Sequence, residues 1–106
     1  MKEINLKQCV KNGNKVLSGR DNGYYWRKSF KIDKLDKEDY GILVLVPEEL
    51  FSINPSFFLG LFGDSIRALG EIKFRERYKF DCDEVIMESI DEDIRRAVTE
   101  IDILKD

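Results

Sequence analysis

The chain has 106 residues, of which 42% are hydrophobic and 37% are charged, and its formal net charge is -3. This length suits one domain with a modest core, and the composition argues against global disorder. The acidic balance also argues against a dedicated nucleic-acid-binding domain. We therefore expect a single domain over residues 1–106.

The first half of the chain predicts a β-hairpin, a helix and a charged connector. An Asn-Gly pair accepts positive φ cheaply and is typical of a hairpin turn. Trp26 and Phe30 are four residues apart, which places them on one face of a helix. The predicted elements are a strand over 3–10, a turn over Lys11–Asn14, a strand over Lys15–Leu17, a turn over Ser18–Gly23, a helix over Tyr24–Phe30 and a connector over Lys34–Tyr40.

The second half predicts a strand, a helix, a strand and a helix. The apolar run Gly41–Val46 is typical of a central strand buried on both faces, and Pro47 ends it. The best helix is Pro55–Leu69, because Asn54 suits its N-cap and Gly70 suits its end. The two remaining elements are a strand over Phe74–Phe80, with a basic face of Arg75, Arg77 and Lys79, and a helix over Asp91–Leu104, with Asp91, Glu92 and Asp93 at its start.

The helix Pro55–Leu69 carries two further expectations. Gly60 and Gly63 lie inside it, where glycine is unfavourable, so we expect close backbone packing at both positions. Its apolar residues recur at three- and four-residue spacing and leave Phe57 partly off the core face. We therefore expect Phe57 to be available for contact with a partner.

The cysteines and the hydropathy restrict the class of protein. Cys9 and Cys82 stand alone and the chain has no histidine, which argues against a zinc site. No motif for another metal or for a cofactor is present. The longest apolar run, Ile42–Val46, is far shorter than the roughly 20 residues that a membrane span needs. We expect a cytoplasmic protein with both cysteines as thiols, no cofactor and no membrane association.

Charge is distributed unevenly along the sequence. Residues 1–40 carry a net +4 and residues 81–106 a net -7. Such asymmetry can steer a partner or pair two parts of one fold, and ordinary solvated surface explains it equally well. An accessory subunit whose acidic C-terminal helix docks on a basic partner is therefore one hypothesis.

Three stretches together resemble the small STAS-like family of unassigned function, over roughly residues 15–100. That family is related in fold to the domain of sulfate transporters and anti-sigma-factor antagonists. The stretches are Ser18-Gly19-Arg20-Asp21-Asn22-Gly23 with Arg27, then Pro55-Ser56-Phe57-Phe58-Leu59-Gly60-Leu61-Phe62-Gly63, and then Leu69-Gly70 with Phe74.

The resemblance implies an α/β (α+β) fold, with a small mixed sheet of about four strands and about three helices packed on it. It also implies a bacterial- or phage-type regulatory domain that binds proteins and is not an enzyme. In anti-sigma-factor antagonists, a partner kinase phosphorylates a serine at the start of the helix after the central strand. That role falls on Ser56, with Ser52 as its neighbour, although Asn54-Pro55-Ser56-Phe57 stands where those antagonists have Asp-Ser-Ser-Gly.

Two functional hypotheses follow from these residues. The first is a protein interaction domain whose partner is a histidine-kinase-like ATPase or another regulator. Its contact and switch residues are Ser52, Asn54, Ser56 and Phe57. The second is a small-ligand or nucleotide-binding module in which the Gly-Arg-x-x-Gly turn cradles an anion. Its residues are Gly19, Arg20, Gly23 and Arg27, with Ser56 nearby. The sequence leaves the oligomeric state open.

Overall fold

The computed structural model describes residues 2–11 and 15–105, and its side chains up to residue 99. These residues form an α+β fold with two small sheets, both of them parallel. The strands are β1 (Lys2–Asn5), β2 (Val16–Leu17), β3 (Ile42–Leu45), β4 (Ser52–Ile53) and β5 (Tyr78–Asp81). The helices are α1 (Arg20–Ser29), α2 (Ile32–Leu35), α3 (Pro55–Leu69), α4 (Glu71–Arg77) and α5 (Glu84–Lys105). The fold class is therefore the expected one, although the predicted mixed sheet is wrong.

The predicted hairpin is also wrong. A 3-10 helix over Leu6–Cys9 ends β1, and the Asn5 side chain accepts a hydrogen bond from the backbone N–H of Lys7. Leu6 and Cys9 are buried there, so the chain turns into the core and does not double back. The strand β1 pairs in parallel with β3, whereas β2 pairs in parallel with β4. Residues 12–14 of the turn predicted over Lys11–Asn14 lie outside the described residues.

The strand β3 lies at the centre of the three-stranded sheet β1-β3-β5, as its apolar run predicts. Its burial alternates along the strand. Ile42 and Val44 are fully buried, whereas Leu43 and Leu45 are only half-buried. The expectation of burial on both faces is therefore wrong, because only the face that holds Ile42 and Val44 is fully buried.

The helix α3 begins and ends where the sequence predicts, and it is the central helix of the molecule. It packs against α1, α4 and α5. Asn54 caps it, and Gly70 ends it with a φ of 82°, a conformation that glycine adopts without steric cost. Every residue from Phe57 to Gly63 is buried, so this part of α3 is covered beyond the one core face that its apolar spacing predicts.

The predicted strand over Phe74–Phe80 is half helix. Gly70 accepts the Phe74 N–H at 3.0 Å and so begins α4, and an ion pair between Arg75 and Glu71 at 3.0 Å spans one helical turn. Only Tyr78–Asp81 is a strand. The predicted basic face does not form, because Arg75 pairs with Glu71 and Asp91. Arg77 instead donates to the backbone carbonyls of Leu35 and Asp36.

Three further helices differ from the prediction. The helix α1 starts at Arg20, four residues before its predicted start. The helix α2 was not predicted and occupies part of the predicted connector, because Ile32 and Leu35 are buried. The helix α5 starts at Glu84, where the Asp83 carboxylate accepts the Ile86 N–H at 2.8 Å. The acidic run that begins at Asp91 therefore lies in the middle of α5.

Candidate functional site

Residues 51–56, which run from just before β4 through Asn54 into the first turn of α3, form a segment that we call the elbow. The Asn54 N–H donates to the Leu17 carbonyl at 2.7 Å, which fixes the elbow to the end of β2. The Asn54 carboxamide oxygen accepts two hydrogen bonds from Ser56, one from the backbone N–H at 3.0 Å and one from the hydroxyl at 2.7 Å. The Ser56 hydroxyl is therefore held at the first turn of α3, where the helix dipole favours negative charge.

The accessibility of the elbow differs from the prediction. Asn54 is exposed, and Ser52 and Ser56 are half-buried. Phe57 is 0% exposed, so its predicted role as a contact residue is wrong. Phe51, which sequence reasoning missed, is 78% exposed and is the accessible aromatic side chain of the elbow. Phe51 lies between buried Leu50 and the two-residue strand β4. No sequence pattern at this position predicts that its side chain is exposed.

Phe57 is buried because α1 covers that side of α3. A Cβ atom on Gly23 would lie 2.4 Å from the Phe57 carbonyl oxygen, and a Cβ atom on Gly60 would lie 2.3 Å from the Arg20 carbonyl oxygen. The two helix backbones therefore touch at Gly23 and Gly60. Close packing is confirmed at Gly60, whereas at Gly63 a Cβ atom would meet side chains and no backbone, namely the end of Arg67 at 3.4 Å and the Leu59 Cβ atom at 3.8 Å.

The four residues of the candidate anion site divide into two pairs. Gly19 is exposed with a φ of 92° and precedes α1, and Arg20 is the exposed first residue of that helix. Gly23 is buried against α3, and Arg27 is 6% exposed. Glycine is required at Gly19 for its dihedral angle and at Gly23 for helix packing. Neither requirement involves an anion.

Arg27 is the centre of a buried network that joins α1, α3 and the residues around α2. Its Nε and Nη2 atoms donate to Asp33 at 3.0 and 2.6 Å, and Nη2 also donates to Asp36 at 3.1 Å. Nη1 donates to the Leu61 carbonyl at 2.9 Å and to the Ser65 hydroxyl at 2.8 Å. These bonds use all five N–H groups of a guanidinium. Arg27 therefore has no donor left for a ligand, which contradicts its predicted role.

Asp36 extends the network to the sheet. It accepts the Ser65 hydroxyl at 2.7 Å and the Tyr78 hydroxyl at 2.6 Å. Burial and this bond to Asp36 raise the pKa of Tyr78 well above its ordinary value, so Tyr78 remains a proton donor at neutral pH. The network therefore connects α1, α3 and β5, and its role is to hold these elements together.

A cavity of about 400 Å³ lies at the carboxyl ends of β3 and β5. Carboxylates and one thiol dominate its polar lining. It is lined by Val46, Pro47, Glu48, Asp81, Cys82, Asp83 and Ile86. Burial and the neighbouring Asp83 raise the pKa of the Cys82 thiol, and in the described part of the chain no three His, Cys, Asp or Glu side chains are placed so that they could hold a metal ion together. The cavity therefore offers neither a ready nucleophile nor a recognisable metal site.

The cysteines are both free thiols. Burial raises the pKa of Cys9 to about 12, so this thiol is protonated and unreactive at neutral pH.

Asp93 is a second buried acid, separate from the Arg27 network. It is 2% exposed and its Oδ2 atom has no hydrogen-bond partner among the described residues. Burial raises its pKa from 3.8 to about 6, with Arg96 acting against this shift and Glu92 adding to it. The folded state therefore holds the Asp93 proton more tightly than the unfolded chain does. Ionisation of Asp93 therefore lowers the free energy of unfolding as the pH rises from 3.8 to about 6.

We expect Asp93→Asn to raise the free energy of unfolding by about 1–2 kcal/mol at pH 7.5, because it removes a buried charge. The gain should shrink to nearly zero at pH 4, where the wild-type carboxyl is itself protonated. Urea denaturation at both pH values measures the difference. An equal effect at the two pH values would contradict a raised pKa. Glu88→Gln, which removes an exposed carboxylate from α5, is the control.

Comparison of the chain with protein-family models, with curated proteins and with solved structures finds no match in any of the three. Among the described residues, no helix is both long and apolar enough to cross a membrane. The fold and the geometry of the elbow are therefore the grounds for a functional proposal.

Proposed function

We propose that this chain is a non-catalytic regulatory domain that binds a partner protein through the elbow and is switched by phosphorylation of Ser56. The observation that carries the proposal is the combination of an exposed aromatic side chain, Phe51, with a serine hydroxyl held at the start of α3. Exposed aromatic residues are frequent anchors of protein interfaces. The resemblance to the STAS-like family supports the same residue as the switch and suggests a kinase-like ATPase or another regulator as the partner.

The switch has a physical basis at the elbow. A phosphate on Ser56 would add a charge of about -1.5 to -2 beside an apolar contact surface. It would also remove the hydroxyl hydrogen bond to Asn54, which now orders the turn. Both effects would weaken an apolar partner contact at Phe51, whereas the helix dipole would stabilise the phosphate itself.

The small-ligand hypothesis has less support. Gly23 and Arg27 are committed to the α1–α3 contact and to the buried network. Only Gly19 and Arg20 of that set are exposed, and two residues at one helix start make a weak anion site. A protein interface at the elbow is therefore the function we favour.

We expect an affinity capture from native lysate to retain one stoichiometric partner with wild-type protein and to lose it with Phe51→Asp and with Ser56→Asp. Ser56→Ala should keep the partner, because it adds no charge. Quantitative mass spectrometry of the eluates measures the retained fraction. Ile72→Asp is the matched control, since Ile72 is 76% exposed on α4, away from the elbow.

Two outcomes would contradict the proposal. Retention of the partner by every variant would move the interface away from the elbow. The absence of any partner for the wild-type protein would remove the basis for a regulatory binding domain. Circular dichroism of each variant would establish that a lost partner does not reflect a lost fold.

A further inference from the structure

The two faces of the three-stranded sheet differ in exposure among the described residues. Residues paired across a parallel sheet lie on the same face, and successive residues alternate between faces. One face holds four buried residues, Ile4, Ile42, Val44 and Tyr78, together with half-buried Phe80 and exposed Lys2 on the edge strands. The opposite face has exposed side chains along its two flanks and half-buried leucines at its centre. It holds Glu3, Asn5, Leu43, Leu45, Lys79 and Asp81, and we call it the open face.

The open face carries three charges, Glu3 on β1 and Lys79 and Asp81 on β5, and Asp81 lies in the same row as the neutral Asn5. Glu3 on β1 and Lys79 on β5 lie in the same row, on either side of Leu43. Two strand spacings, about 10 Å, separate them, which is too far for direct pairing. Neither residue forms an ion pair within the described part of the chain. Each is therefore an exposed charge on an edge strand, free to meet an opposite charge on another molecule.

This arrangement is complementary to itself under a two-fold rotation. Consider two copies of the chain whose open faces are stacked on each other. A two-fold axis that lies between the two faces and runs parallel to β3 places β1 of one copy over β5 of the other. Glu3 of each copy then faces Lys79 of its partner copy, and Leu43 and Leu45 face their own equivalents. The strands of the two sheets run in nearly the same direction, which is the aligned geometry of stacked sheets.

We propose that the open face is the interface of a two-fold symmetric homodimer, in which two Glu3–Lys79 pairs flank a strip of leucines. A two-fold interface uses the same patch on both subunits, and this patch meets that condition in both charge and apolarity. The inference stands on the sheet alone and does not depend on the elbow or its proposed partner.

The size of the patch sets the expected affinity. Three strands of four residues cover an area of about 13 by 14 Å, well below the roughly 800 Å² per partner of a stable interface. We therefore expect a weak dimer in equilibrium with monomer. Its electrostatic pairs should strengthen it at low salt and weaken it at high salt.

Sedimentation equilibrium over a range of protein concentrations tests the proposal. The average mass of the wild-type protein should rise from monomer toward dimer as concentration increases at low salt. Glu3→Lys or Lys79→Glu alone turns both cross-dimer pairs into like charges, so each should raise the dissociation constant about tenfold or more. The double variant Glu3→Lys, Lys79→Glu should restore the wild-type constant.

A mixture of the two single variants gives a second, independent measurement. One protein then has lysine at both positions and the other has glutamate at both, so only the mixed dimer has two attractive pairs. We expect the mixture to associate more tightly than either variant alone. Lys73→Glu is the matched control, because Lys73 is exposed on α4 and this change gives the same net charge as Lys79→Glu.

Three results would overturn the proposal. They are a wild-type protein that stays monomeric at every concentration, a dimer that the single charge reversals leave intact, and a double variant or mixture that does not regain association. Thermal melts of each variant would show that the compared proteins are equally folded.

Discussion

Arg27→Met is expected to lower the free energy of unfolding by about 3–5 kcal/mol, the usual effect of removing one partner from a buried ion pair. Arg27 is 6% exposed and its N–H groups satisfy two carboxylates, one hydroxyl and one backbone carbonyl. Methionine fills much of the same volume but donates nothing. The Asp36 carboxylate, whose side chain is 10% exposed, would lose its cationic partner.

Urea denaturation followed by circular dichroism measures this effect, with Arg67→Met as the matched control. Arg67 pairs with Asp64 at 2.7 Å on the exposed side of α3, and such surface pairs contribute less than about 1 kcal/mol. The double variant Arg27→Met, Asp36→Asn should lose less stability than the two single effects combined, because the second change removes the charge that the first leaves unpaired. Equal effects of Arg27→Met and Arg67→Met would show that the network contributes little to stability.

Gly60→Ala is the second prediction, with an expected loss of about 3 kcal/mol from overpacking at a backbone contact. The added methyl group would lie 2.3 Å from the Arg20 carbonyl oxygen and 3.1 Å from the Gly23 Cα atom. Both atoms belong to the backbone of α1. Relief of the clash therefore requires that the whole helix move away from α3, which would open the packing around Phe57.

Gly63→Ala is the control on the same helix, and it should change stability in the opposite direction. Its methyl group would lie 3.4 Å from the end of the flexible Arg67 side chain and 3.8 Å from the Leu59 Cβ atom, an ordinary van der Waals contact. Alanine is a better helix former than glycine by about 1 kcal/mol, so we expect a gain of about 0.5–1 kcal/mol. Thermal and urea denaturation of both variants give the two signs. A stabilising Gly60→Ala would show that α1 and α3 are not in backbone contact.

The candidate site illustrates why accessibility was harder to predict than secondary structure. The spacing of apolar residues on α3 identified one core face, but it could not show that α1 covers a second face. The glycines at 23 and 60 were a partial signal, because paired glycines on two helices permit close approach. Nothing in the local sequence indicated that Phe51, and not Phe57, is the exposed one of these two aromatic residues.

The sequence by itself determined the elements whose signals are local. Asn54, Pro55 and Gly70 set both ends of α3, because capping and helix termination depend on a few neighbouring residues. The run Ile42–Leu45 identified the central strand for a similar reason, since β-branched and aliphatic residues suit a pleated, buried position.

Only the tertiary structure decided the features that depend on residues distant in the chain. The parallel pairing of β1 with β3 replaced a hairpin because burial of Leu6 and Cys9 outweighed a local turn signal. Helix α4 formed where alternation predicted a strand, since Phe74 packs on the rings of Phe62 and Tyr78. The Arg27 network joins side chains from four segments, and buried polar groups find such partners only when the segments are brought together by folding.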